Sequence, residues 1–160
     1  MDFVDLIIPA LVWFSAVSAG IMAGVYFTFS AFAMRSFAEL GEEARARAMQ
    51  SINRVILRSA FLPLFFASSL ACVALLALGL LGFGGENATL MAAGGGVYAL
   101  GMFGVTVVGN VPLNNRLDAV DPATPEGAEM WRLYLARWTP YNHVRTLACT
   151  LAMVLLVLSL

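Results

Sequence analysis

Side chains able to do chemistry are few in this sequence, and they are densest between Asn110 and Arg145. The stretch opens Asn110-Val-Pro112-Leu-Asn114 and, after an acidic link, closes with Trp131, Tyr134, Trp138, Asn142, His143 and Arg145. His143 is the only histidine and is the group suited to accept or return a proton near neutral pH. Arg145, with the amides of Asn110, Asn114 and Asn142, offers positive charge and N–H donors to a developing oxyanion. An arginine near a span end equally reaches lipid phosphate. Trp131, Tyr134 and Trp138 either stack on a flat ring or anchor a helix at the membrane–water interface. Outside the stretch, Asn53 stands with Gln50 and Arg54 on a segment that leads to the same region or simply faces solvent.

Several chemistries lack their residues. No Gly-x-Gly-x-x-Gly, Walker or Gly-x-Ser-x-Gly pattern occurs, so nucleotide, flavin and serine-hydrolase readings have no motif. One histidine, and no Cys or carboxylate cluster at ligand spacing, argue against a dedicated transition-metal site; haem on His143 has no further residue in support. Cys72 and Cys149 fall in apolar runs, as small buried hydrophobes do, and no disulfide framework is indicated. A net charge of −1 leaves no basic excess to displace counterions from nucleic acid.

The elements that must hold these residues are membrane spans. The chain of 160 residues is 61% hydrophobic and 12% charged, with mean hydropathy +0.84, whereas a soluble domain carries roughly 25% charged residues. A span needs about 20 apolar residues. The spacing predicts four, over about 6–34, 60–81, 90–111 and 140–160, in one all-α domain covering 1–160. Met1 to Asp5 carries no basic charge and the run after it is long, so the first span reads as a retained helix and not a signal peptide. Gly20-Ile-Met-Ala-Gly24 has the small-xxx-small spacing of close helix packing. The glycine-rich third span invites close approach by a neighbouring helix or a flat ligand.

Two polar segments separate these spans. Ala48, Met49, Ile52, Val55 and Ile56 mark one face of a surface helix or of an extension of span two. Thr124-Pro125-Glu126 reads as a helix start, opening a short surface helix with Trp131, Tyr134, Leu135 and Trp138 on one face. Thr139-Pro140 repeats the signal and begins the last span. If the helical phase carries through Pro140, then Trp138, Asn142, Arg145 and Cys149 share a face. Five arginines lie between spans one and two and three between spans three and four. By the positive-inside rule both polar loops are cytoplasmic and both termini outside, in an up-down bundle. Nine basic residues, all arginine, are a high-GC bias that points to a bacterial inner membrane.

Asn110-Val-Pro112-Leu-Asn114, then Trp131, Trp138, Asn142 and Arg145, with Ala48-Met-Gln50-Ser-Ile-Asn53 before the second span, resembles the anthrone oxygenase-like family. The resemblance covers most of the chain. It implies a four-helix integral membrane fold and an O2-dependent oxidation of an anthrone-type polyketide to the quinone, apparently without a conventional redox cofactor. On that reading His143 is the base and Arg145 stabilises the oxyanion. Asn53, Asn110, Asn114, Asn142, Trp131, Tyr134 and Trp138 surround a small aromatic substrate, with O2 and the lipid bilayer as the other partners. A competing class is a non-enzymatic bundle that binds lipid or quinone, or an accessory subunit of a membrane complex. A transporter lacks its usual broken-helix pairs. Oligomeric state is open, a homo-oligomer included.

Overall fold

The structure, a computed structural model, describes residues 3–160, with side chains from Leu6 onward; Met1 and Asp2 of the N-terminal reading lie outside the described residues. Helix α1 comprises Phe3–Thr28, a π turn at Phe29–Ala33 and Met34–Ala38. Helix α2 is Glu42–Ile56, α3 is Phe61–Leu80, α4 is Gly85–Asp118 and α5 is Pro125–Leu158. No strand occurs among the described residues. Four helices are long and apolar enough to cross a bilayer, and large apolar side chains such as Leu70, Leu100, Val108 and Leu147 stand exposed around them. The molecule is an all-α integral membrane bundle.

α1 packs along α5, α5 along α4 and α4 along α3, while α3 meets α1 more sparingly. The core is lined with small and soft side chains, among them Ala19, Met22, Cys72, Leu75, Tyr98, Met102, Cys149 and Ala152. Small residues allow backbones to approach, which is the main attraction between helices in lipid. A Cβ at Gly79 would lie 2.5 Å from the Ala88 carbonyl oxygen, and one at Gly95 would collide with the Cys72 carbonyl. The glycines of the third span therefore serve packing on two sides, Gly95 against α3 and Gly94, Gly101 and Gly109 against Leu156, Ala148 and Tyr141 of α5. Of the Gly20/Gly24 pair, Gly20 packs on Met153 whereas Gly24 meets nothing within 4 Å.

Two predicted boundaries differ from the structure. α4 does not stop at Val111 but continues to Asp118, and the surface helix and last span are one rod from Pro125 to Leu158. Pro112 falls at the start of an α segment that follows two π turns, Ala99–Gly104 and Thr106–Asn110. The ladder is already out of α register there, so the missing N–H breaks no α-helical bond. Pro140 lies within α5, where proline costs about 3 kcal/mol. Packing on both sides outweighs it: Trp138 and Asn142 are buried, and the Tyr141 ring fits against Gly109. At its start α5 is capped as expected, Thr124 Oγ1 accepting from the Gly127 N–H at 3.1 Å.

α2 forms a polar-end layer over this bundle. Gln50, buried, donates through Nε2 to the carbonyls of Leu117 at 2.8 Å and Val120 at 3.0 Å, and Arg54 pairs with Asp118 at 2.8 Å. These bonds clamp α2 to the end of α4. A second apolar cluster, including Met49, Leu117, Met130, Trp131, Tyr134 and Trp138, fills the space between them.

Candidate active site

Where this second layer meets the bundle there is a cavity of about 260 Å³, walled almost wholly by hydrocarbon. α1 contributes Tyr26 and Phe29, α2 Met49, Ile52 and Asn53, α3 Phe61 and Phe65, α4 Phe103, Thr106 and Asn114, and α5 Trp138 and Arg145. Among the described residues, no Asp, Glu or His side chain lines it.

Arg145 dominates its electrostatics. The residue is only 5% exposed, and no carboxylate lies within salt-bridge distance among the described residues. Its partners are neutral. Nη2 donates to Asn142 Oδ1 at 2.8 Å and Nη1 to Thr106 Oγ1 at 3.4 Å, while Nε has no partner. The cation stands 4.2 Å from the centre of the Tyr26 ring and 5.2 Å from that of Trp138. Cation–π attraction of this kind contributes about 0.5–2 kcal/mol per ring. That is small beside the several kcal/mol that an unpaired buried ion costs, so the site is left short of one negative charge.

The surroundings hold Arg145 in place. Asn142, on the preceding turn of α5, donates to the Tyr26 carbonyl and to Ser30 Oγ, each at 2.7 Å. Ser30 lies in the π turn of α1, a widened turn of the sort that commonly accompanies functional sites. Thr106, at the start of the second π turn of α4, donates to the Met102 carbonyl at 2.7 Å, leaving its oxygen to face Arg145. On the other side of Trp138, Asn114 Oδ1 accepts from Trp138 Nε1 at 2.9 Å and from the Tyr134 hydroxyl at 2.8 Å. Both lone pairs are thereby used. Trp131, Tyr134 and Trp138 stack in sequence with centroids 5.8 and 5.6 Å apart, and Phe29 meets Trp138 edge-on.

The residues singled out from the sequence divide into two groups. Asn53, Asn114, Trp138 and Arg145 line the cavity, and Asn53 Nδ2 is buried there without a partner. Asn110, Asn142, Tyr134 and Trp131 stand behind them: Asn110 Nδ2 donates to the Trp138 carbonyl at 3.3 Å, and Trp131 is buried at the far end of the stack. His143 is the residue that geometry does not bring to the cavity. It is exposed, because the one-residue step from Asn142 turns it about 100° around the helix, and its Nδ1 lies 2.9 Å from Ser30 Oγ. Its link to the cavity is indirect, through Ser30 and Asn142 to Arg145. Sequence reasoning missed Tyr26, Thr106 and the phenylalanine walls. Their signal was faint: a tyrosine and a threonine inside otherwise apolar helices, which ordinary packing also accommodates.

A four-helix membrane bundle with a single uncompensated cation in an apolar, aromatic-walled cavity is the class this fold and site define. The anthrone oxygenase family profile matches residues 53–155, a span that includes Asn53, Asn110, Asn114, Trp138, Asn142 and Arg145, and the chain belongs to that family. No curated protein matches the chain, and no solved structure does.

Proposed function

We propose that the protein is an O2-dependent oxygenase for a flat phenolic substrate of the anthrone type. The observation that carries this reading is Arg145, a guanidinium buried without a counterion on the wall of an apolar cavity. A buried cation left unpaired is unfavourable in the free protein, and an anionic ligand relieves it. Burial also strengthens the attraction, because few water dipoles remain to screen it.

An anthrone methylene is acidic because its conjugate base is an aromatic alkoxide. Arg145 favours that anion by charge and by its free Nε–H, acting as an electrostatic stabiliser. The proton leaves to water or buffer at the polar end, since no lining residue is a carboxylate or imidazole. The electron-rich carbon then adds O2 to give a peroxide anion, which takes one proton back from water to become the hydroperoxide. Loss of water from it gives the carbonyl, so that one CH2 and one O2 become one C=O and one H2O. The substrate supplies the electrons. His143 is a positioning residue in this scheme, bracing Ser30 and through it Asn142 and Arg145. Trp138 and Phe29 supply ring faces, and the Asn53 amide offers a donor to a second substrate oxygen.

The test is aerobic turnover of an anthrone panel by protein purified in detergent, followed through the quinone's visible absorbance, with Arg145→Ala and a chelator-treated sample beside it. Quinone formation above the autoxidation blank that disappears in the Arg145 variant supports the reading. A folded wild-type protein that matches the blank would sink it.

A further inference from the structure

The interface between α3 and α4 is closed along one half and open along the other. At the Gly79 and Gly95 crossings the two backbones touch, as the missing Cβ atoms require. Contact persists as far as the first π turn of α4, where Phe65 and Phe103 lie 5.6 Å apart, and is all but lost beyond it. The cavity opens in that gap. Its lips are Leu57 and Phe66 on one side and Val107 and Val111 on the other, which are 60, 56, 48 and 40% exposed although they line the cavity. On the α1 side Tyr26 and Phe61 meet edge to face and close the wall.

The lips are all hydrocarbon, and Phe66, Val107 and Val111 belong to helices apolar enough to cross a bilayer, with Leu57 four residues before the first of these helices. Phe66 is in the second turn of α3, and Val107 lies one turn before Val111, about 6 Å further along the helix axis. A mouth at that level faces acyl chains, and a mouth facing water would leave four large apolar side chains solvated without return.

We propose that this cleft is a lateral portal, through which an uncharged aromatic substrate passes between the adjoining leaflet and the cavity. The identity of the ligand rests on the oxygenase reading; the route rests on the cleft. A neutral phenol or ketone crosses the lips at little cost, whereas its anion, formed at Arg145, does not return across them because a charge is costly in hydrocarbon. The portal thus admits the neutral substrate, retains the reacting anion and releases the neutral quinone.

The experiment is anaerobic stopped-flow binding of an anthrone to the protein in phosphatidylethanolamine–phosphatidylglycerol nanodiscs, read by quenching of tryptophan fluorescence. Val107→Trp narrows the mouth; Val108→Trp makes the same change one residue on, at a side chain 80% exposed and outside the cavity lining. The expected result is that Val107→Trp slows association and dissociation together, about tenfold each, leaving Kd within about twofold, because a narrowed path changes rates and not the bound state. Val108→Trp leaves both rates unchanged, and Phe66→Ala, which widens the mouth, speeds both. Wild-type rates in Val107→Trp and Phe66→Ala would overturn the portal and leave the oxygenase reading standing. Binding with the expected kinetics but no turnover in air would overturn the oxygenase reading and leave the portal. Failure of the wild-type protein to bind would overturn both.

Discussion

Arg145 and His143 are two residues apart, and their environments assign them different tasks. If Arg145 stabilises an anion by its N–H geometry and charge together, Arg145→Lys should lower kcat/KM by about 10²–10³-fold, because an ammonium cannot reproduce the planar fork. Thermal unfolding in detergent should scarcely change. Arg145→Met removes the unpaired charge while keeping the bulk, so the melting temperature should rise as activity is lost, since replacing buried ions by apolar groups is often stabilising. A fall in melting temperature would instead identify Arg145 as structural glue. His143→Gln keeps a hydrogen-bonding group near Ser30, and activity should remain within about threefold, where loss of a general base costs 10²–10⁴-fold. A larger loss would return His143 to the role the sequence alone suggested.

Among the elements, α3 and α4 meet backbone against backbone at Gly79 and Gly95. Gly95→Ala forces a methyl group onto the Cys72 carbonyl and the Leu76 N–H, and overpacking of this kind costs about 1–3 kcal/mol. Gly24→Ala, which meets nothing within 4 Å, should be neutral or slightly stabilising, so the pair makes an internal comparison in one unfolding assay. The spans were legible because uninterrupted hydrocarbon of that length has few other destinations. The amphipathic α2 was legible from the spacing of Met49 and Ile52. Boundaries at Pro112 and Pro140 were not, because proline signals a helix start equally well at the true end of a segment and inside a rod whose packing overrides it. For the site, Asn53, Asn114, Trp138 and Arg145 stood out because polar side chains are rare here. Tyr26 did not, since a tyrosine on the same regular face as Ala19 and Met22 reads as core, and Thr106 did not, since it follows a π turn that rotates side chains out of the 3.6-residue register.

Taken whole, the molecule is a membrane bundle whose cavity lies at one end, under the clamp of α2. Apart from Arg145, the arginines lie in α2, its flanks and the polar ends of α4 and α5, and the positive-inside rule predicts that this end faces the cytoplasm. A cysteine introduced at Ser159, near the opposite end, should therefore react with a membrane-impermeant maleimide added outside spheroplasts, and one at Glu43 only after lysis. The opposite labelling pattern would invert the topology. Detergent, and not high salt or alkali, should be needed for extraction, given the exposed belt of Leu70, Leu100, Val108 and Leu147.

The unbroken course of α5 also bears on which changes in chain length inheritance can tolerate. Trp131, Tyr134, Trp138, Asn142, Arg145 and Cys149 all point inward from one rod, and adding or deleting a single residue turns everything beyond it by about 100°. An inserted alanine between Trp138 and Asn142 would swing Arg145 toward lipid while the aromatic stack stayed behind. The Gly82–Gly84 turn and the Ala119–Thr124 link carry no such phase relation. Relatives that keep the site should therefore vary in length at these two connections and hold the Trp131–Cys149 interval at fixed length, whatever they substitute within it.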